Sequence, residues 1–244
     1  MRQRLDHVLV SRGLVQSRSR AADLIARGAV RVDSVAADKP GLLVAADCAI
    51  EIDAAANAHV ARSGVKLVAG LDAFAYRPAG RVCLDVGAST GGFTQVLLER
   101  GAARVYAVDV GRGQLHARLV GDARVVDLSA TDARSLDAML IPEPVWAVVA
   151  DVSFVSLTQV LGPPLALTAS GAFLVALVKP QFEAGREVVA KRGVVRDALA
   201  GERAVDKVAH FLVAQGWRID GVVRSPLPGK EGNIEWLIGA RRSE

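Results

Sequence analysis

Little in this 244-residue chain can crosslink or coordinate. Its two cysteines, Cys48 and Cys83, stand alone without a C-x-x-C, which excludes a disulfide framework and a thiolate metal cage. Cys83 lies in an apolar run and reads as a small core residue. The histidines His7, His59, His116 and His210 share no ligand spacing, so the chain reads as metal-free. Aromatic residues are only 5% of the sequence, which leaves the core to aliphatic side chains. No apolar run nears the roughly 20 residues of a membrane helix. The longest, such as Ala172–Val178, fit central strands of a parallel sheet. Met1-Arg2-Gln3-Arg4 opens an amphipathic segment instead of an apolar leader, so no signal peptide is expected. A reducing, cytoplasmic setting without a membrane follows.

What is present is 51% hydrophobic content, enough for one medium domain and one small one. The net charge is only +4, but it is unevenly spread. Arg2, Arg4, Arg12, Arg18, Arg20, Arg27 and Arg31 crowd the start of the chain against only Asp6 and Asp23. Such clustering points to nucleic acid more strongly than the net figure does.

Residues 1–56 differ in texture from the rest. Leu5, Val8, Leu9 and Leu14 suggest a short helix ending at Gly13. Ser17 can cap a second helix, with Ala21, Ala22, Leu24 and Ile25 inward and a stop at Gly28. Val30–Val32 and Ala49–Asp53 read as strands, with a turn at Asp38-Lys39-Pro40-Gly41. Arg12, Arg18, Arg20 and Arg27 fall off the apolar stripe and leave a basic surface. Ala54–Ala58 is a small-residue linker, giving boundaries of 1–56, a linker at 57–62, and 63–244.

From about residue 59 apolar strands alternate with helices. Strands are expected at Arg81–Val86, Arg104–Val108, Arg124–Val126, Trp146–Ala150 and Phe173–Val178. Helices fit at Gly92–Arg100, Arg112–Val120 and Val155–Thr168. A long helix, Ala200–Gln215, then precedes strands Arg218–Arg224 and Asn233–Ala240. This rhythm implies an α/β fold with a parallel sheet covered on both faces.

The first of these strands ends in Asp85-Val86-Gly87-Ala88-Ser89-Thr90-Gly91-Gly92-Phe93-Thr94. A turn almost without side chains lets a ligand approach the backbone, with helix N–H groups aimed at it. Asp109-Val110 closes the next strand, 22 positions beyond Gly87, where nucleotide folds place a ribose-binding acid. A dinucleotide fingerprint fails at Ala88-Ser89, and a P-loop fails for want of lysine at Gly92-Phe93-Thr94. D-x-G-x-x-x-G-G remains, and Asp85 suits a cationic, phosphate-free ligand because a carboxylate repels pyrophosphate. The pattern is that of class I S-adenosylmethionine-dependent methyltransferases, a Rossmann-like fold.

Asp151 and Lys179 directly follow apolar strands, at the ligand-binding edge of an open sheet. Lys66 lies just ahead of a helix, and Glu235 interrupts the apolar run Ile234–Ile238. Lysine ordinarily titrates near ~10.4 and works as a base only when its amine form is favoured. Burial and a second ammonium both favour that form, so Lys66 and Lys179 are expected to depress one another. Lys191 and Arg192, in the Gly-containing segment Gln181–Asp197, suggest a loop that closes over RNA.

Two resemblances gather these observations. Arg4-Leu5-Asp6, Leu9-Val10, Arg12-Gly13-Leu14, Ser17-Arg18, Ala21, Leu24-Ile25, Gly28, Val30 and Val32 together resemble an S4 domain, a small α+β RNA-binding module. The resemblance implies RNA contacts from Arg4, Arg12, Arg18, Arg20 and Arg27, made by phosphate and shape. Lys66, Asp151, Lys179 and Glu235 resemble the Lys-Asp-Lys-Glu tetrad of FtsJ-like ribose 2′-O-methyltransferases. That resemblance implies Lys179 as the base, Asp151 as its holder, and Lys66 and Glu235 positioning ribose and amine. Ser63-Gly64-x-Lys66-Leu67, Asp109-Val110-Gly111-x-Gly113-Gln114-Leu115 and Asp151-x-Ser153-Phe154-x-Ser156-Leu157 match family motifs. So do Val178-Lys179-Pro180-Gln181-Phe182-Glu183 and Pro228-Gly229-x-x-Gly232-Asn233-x-Glu235.

An S4 module ahead of such a core is similar to the TlyA family of rRNA methyltransferases, sometimes labelled hemolysins. That implies S-adenosylmethionine as cofactor, ribosomal RNA as partner, a ribose 2′-OH on cytidine as acceptor, and a monomer. The chain ends soon after the last expected strand, like shorter members that modify large-subunit RNA alone. Two departures stand out. Ser63 replaces the usual Gly, and Ser129-Ala130-Thr131-Asp132 replaces Glu-Arg-Thr-Asn, leaving Asp132 as the candidate adenine contact. A non-catalytic RNA-binding factor, a pore-forming hemolysin and a small-molecule methyltransferase are the competing readings. The first conflicts with an intact tetrad, the second with the missing membrane segment, the third with the arginine-rich front.

Overall fold

The computed structural model describes residues 2–15, 18–53, 60–184, 195, 199–229 and 232–243. The chain separates into two compact units, Met1–Ala61 and Arg62–Glu244. Ser17, the Ala54–Ala58 linker, Lys191 and Arg192 lie outside the described residues.

The first unit contains β1 (Arg2–Arg4), α1 (Leu5–Ser11), α2 (Arg18–Ala26), β2 (Val30–Val32), β3 (Val35–Ala36), β4 (Leu43–Ala45) and β5 (Ile50–Ile52). Leu5, Val8 and Leu9 close on Ala21, Leu24 and Ile25, the i, i+3, i+4 stripe of each helix. Val30, Val44 and Cys48 complete this core. Three short strands escape the sequence reading. β2 and β3 form a hairpin through Asp33 and Ser34, both at positive φ (48° and 68°), a primed two-residue turn built without glycine. β1 pairs antiparallel with the distant β4.

The second unit is built on one sheet. Its strands are β6 (Val82–Val86), β7 (Arg104–Asp109), β8 (Val125–Ser129), β9 (Val145–Ala150), β10 (Thr168–Val178), β11 (Trp217–Arg224) and β12 (Trp236–Arg242). They lie in the order β11-β12-β10-β9-β6-β7-β8. β8, β7, β6, β9 and β10 run parallel, and β12 is inserted antiparallel between β10 and β11. Chain direction reverses its progress across the sheet between β6 and β9, the switch point where open α/β sheets bind ligands.

The helices are α3 (Ser63–Ala73), α4 (Gly92–Glu99), α5 (Ala117–Val120), α6 (Leu157–Val160), α7 (Gly162–Ala166), α8 (Pro180–Glu183) and α9 (Ala200–Ala214). Leu84, Val86, Val148, Leu174, Ala176 and Val178 pack against Val208, Leu212 and Trp217 in a nearly all-aliphatic core. Burial pushes the Cys83 thiol up to about 12, so it behaves as a hydrophobe.

Four expectations are corrected. The helix anticipated over Arg112–Val120 shrinks to α5, because Gly113 takes a positive φ of 58° and His116 caps the helix by accepting the Arg118 N–H at 3.1 Å. Val155–Thr168 divides into α6 and α7, since Pro163 and Pro164 supply no N–H to an unbroken helix, and Thr168 already belongs to β10. Lys66 sits inside α3, not ahead of it. Glu235 precedes β12 instead of interrupting it, and Asn233 and Ile234 are outside the strand.

Candidate active site

Three strand ends and one helix bring the four charged residues to one edge. Asp151 follows β9, and its N–H donates to the Val86 carbonyl at 3.0 Å, tying it to the end of β6. Lys179 follows β10, and the register Val178↔Trp236 sets Lys179 and Glu235 side by side just beyond the paired strands. Lys66 arrives from α3, which packs close to the sheet because Gly70 lacks a side chain. A Cβ there would stand 2.8 Å from Val175 Cγ1.

Two ion pairs result. Lys66 Nζ meets Glu235 Oε2 at 2.5 Å with both side chains buried. Lys179 Nζ meets Asp151 Oδ1 at 2.7 Å and donates to Ser153 Oγ at 2.9 Å. Each ammonium therefore has its own carboxylate. Burial without a partner would be costly, and pairing offsets that cost.

The glycine turn lies beside this edge. Gly87 takes a φ of 86°, and a Cβ on it would approach the Asp151 carbonyl oxygen to 2.7 Å. Only glycine fits both demands. Asp109 organises the next loop: Oδ2 accepts the Ser89 N–H at 2.8 Å and Oδ1 that of Gly111 at 2.7 Å. Ser89 and Thr90 are exposed, whereas Ala88, Gly91 and Gly92 are buried. Val110, next to Asp109, presents an apolar side chain 72% exposed. The bare turn, the oriented carboxylate and the exposed apolar neighbour thus lie next to one another in sequence and hydrogen bonding at the end of β6 and β7.

Three cofactor expectations need correction in detail. Asp85 is fully buried and accepts from Thr94 Oγ1 at 2.7 Å, so it is not an open carboxylate facing a ligand. Burial raises its carboxyl to about 7. The Phe93 ring is core, leaving only backbone toward the turn. Asp132 caps the turn Ala133–Ser135 and is already bound by Arg134, whose Nη2 lies 2.5 Å away. That hydrogen bond holds its carboxyl below the ordinary range.

Sequence reasoning passed over residues that the fold puts beside Lys179. Ser153 accepts its hydrogen bond, and Phe182 lies beneath it, with Nζ 5.9 Å from the ring centroid. Phe154 is 91% exposed at a positive φ of 68°, its ring 5.3 Å from that of Phe182. The Asp-x-Ser-Phe run marked these positions, but nothing in a sequence separates a phenylalanine facing solvent from one in the core.

The first unit holds the arginine cluster, and the structure divides it. Buried Asp6 accepts from Arg4 at 3.0 Å and from Arg18 at 3.2 Å, and these bonds hold its carboxyl down to about 2. Arg4 and Arg18 remain 47% and 60% exposed, a fixed pair of cations at the surface. Arg12 donates to the carbonyls of Cys48, at 2.7 Å, and Ala46. Arg20 corrects the expectation of a basic surface: its side chain is only 13% exposed and pairs with Asp23, which Arg27 also approaches at 3.6 Å.

Among the described residues no helix is long and apolar enough to cross a membrane, and no three His, Cys, Asp or Glu could hold a metal ion.

Comparison with known proteins gives the family of each unit. The FtsJ-like methyltransferase family matches residues 59–242, and the S4 domain family matches residues 3–47. The 16S/23S rRNA (cytidine-2′-O)-methyltransferase TlyA of Mycobacterium tuberculosis is 48% identical over 98% of this chain and 90% of its own length. Hemolysin A of Brachyspira hyodysenteriae is 36% identical over 96% of this chain and 98% of its own. A solved structure from Streptococcus thermophilus, described as a hemolysin, superposes with a TM-score of 0.80 at 34% identity, covering all of this chain and 89% of that one.

Proposed function

This chain belongs to the FtsJ-like methyltransferases, and within them to the TlyA family, and from that premise we propose that it methylates the ribose 2′-OH of a cytidine in ribosomal RNA with S-adenosylmethionine. The observation that carries the reading is the meeting of Lys66–Glu235 and Lys179–Asp151 at the sheet edge that holds the Gly87 turn.

The residues at that edge suit the cofactor. The Gly87–Gly92 turn would lie along its methionine portion, Asp109 would accept the ribose hydroxyls, and Val110 would cover one face of the adenine. The cofactor supplies a methyl group on a cationic sulfur, so transfer neutralises charge and depends on proximity and alignment. Lys179, as its amine, takes the proton of the attacking 2′-OH. Asp151 and Ser153 fix the direction of its Nζ. Lys66, held by Glu235, donates to the acceptor ribose and keeps it in line. Phe154 offers an aromatic face at the rim on which a base can stack. Arg4 and Arg18 contribute phosphate contacts from the first unit. The protein acts as a monomer in the cytoplasm.

Lys179→Ala tests the assignment. Methyl transfer to ribosomal RNA should vanish while S-adenosylmethionine binding, followed by calorimetry, stays within about twofold of the parent, since charge-assisted contacts to the cofactor are untouched. Retained turnover removes Lys179 from the role of base.

A further inference from the structure

Behind Lys179 lies a second polar cluster that the reaction does not use directly. Glu183 ends α8, the turn that begins at Lys179, and its side chain is buried. Its Oε2 accepts from Ser156 Oγ at 2.5 Å and its Oε1 from the Leu157 N–H at 2.7 Å, at the start of α6. Lys207, from the middle of α9, closes the cluster. Its Nζ stands 3.3 Å from Glu183 Oε2 and donates to the Glu183 carbonyl at 2.9 Å and to Ser156 Oγ at 3.2 Å.

This cluster links the same two chain segments that the active site links. Residues 151–156 leave the edge of the sheet after β9, and residues 179–183 leave it after β10. At one end they are joined by Lys179 with Asp151 and Ser153, in the middle by the Phe154 and Phe182 rings, and at the far end by Ser156 with Glu183. Residues 152–156 belong to no helix or strand and would otherwise be freer to shift. A buried carboxylate taking two donors and an ammonium is a costly feature to keep for stability alone.

Resting on the reading of Lys179 as the base, we propose that Glu183, anchored by Lys207, is a positioning residue that sets the direction of the Lys179 amine relative to the acceptor hydroxyl. Lys207 is 44% exposed at its side chain, so it can be changed without opening the core. Lys207 therefore provides the primary test and Glu183→Gln the second.

In steady-state assays on ribosomal RNA from cells lacking the protein, Lys207→Met should lower kcat by roughly tenfold, because misplacing a catalytic group by about an ångström costs up to 10²-fold. KM for both substrates should stay within about twofold, since the cofactor turn and the RNA-binding arginines are untouched. Lys207→Arg, which keeps the cation, should restore most of kcat. Glu183→Gln should repeat the loss of kcat, measured per mole of folded enzyme. Unchanged kcat in Lys207→Met and Glu183→Gln, with Lys179→Ala inactive, overturns the positioning role and leaves the base intact. Turnover by Lys179→Ala overturns the base itself. A loss seen equally in Lys207→Arg and Lys207→Met, or one that follows only the fraction unfolded, reduces the cluster to a structural feature and overturns the proposal.

Discussion

Asp85 shows how far one side chain's role depends on burial. Its place before the glycine turn is readable in the sequence, but its neutral tendency is not. With its carboxyl raised to about 7, the folded protein holds this proton more tightly than the unfolded chain does. Below the unfolded value near ~3.9 the group is protonated in both states and costs nothing. As pH rises from there to about 7, the native state loses stability, and above that the deficit is constant. Asp85→Asn keeps an oxygen for Thr94 and removes the titration. The stability of the variant relative to the parent should rise from pH 4 to 7, by on the order of 4 kcal/mol at most. Urea unfolding at several pH values measures it, and a flat difference refutes the role of burial. Any unpaired amide hydrogen in the variant adds a constant cost, which leaves that slope unchanged.

Elements here are positioned by what their sequences omit. α3 can lie on β10 and β12 because Gly70 faces Val175 and Leu237, and Lys66 is one turn earlier on the same helix. Gly70→Ala places a methyl 2.8 Å from Val175 Cγ1. Overpacking of that kind costs about 1–3 kcal/mol. The expected outcome is a lower melting temperature together with weakened turnover, as the helix and the Lys66–Glu235 pair move off the sheet. A variant as stable and active as the parent would show that the contact is slack. The central strands and α9 were readable because each is a long, strongly patterned run. One short helix was not: Arg112–Val120 has a helical apolar pattern, yet Gly113 and the His116 cap confine the helix to its last turn. β3 and β4 consist of two and three residues, too few for any periodicity to register.

At the scale of the whole molecule, charge separates into two roles. The core's lysines are paired and sequestered, whereas the first unit keeps Arg4 and Arg18 at its surface around Asp6. Binding to ribosomal RNA should weaken with salt, since neutralised phosphates release counterions. Arg18→Ala should reduce the magnitude of the log–log salt slope by about 1. Arg20→Ala should leave the slope unchanged, because that arginine is largely covered and serves Asp23. Filter binding across a salt series distinguishes the two, and equal slopes for both variants would contradict the division.

The sequence by itself determined the alternating strands and helices, the glycine turn with its downstream acid, and the charged residues Asp151, Lys179 and Glu235 beside strand ends, because these depend on local pattern and chain direction. The family resemblance implied that Asp151 holds Lys179, but the sequence could not pair Lys66 with Glu235, bury Asp85, sequester Arg20 or expose Phe154. The Lys66–Glu235 contact forms where β12 enters antiparallel beside β10 and α3 settles on both, and the other outcomes are decided by packing elsewhere within each unit. They depend on which distant side chains share a low-dielectric space, and only the packed chain decides that.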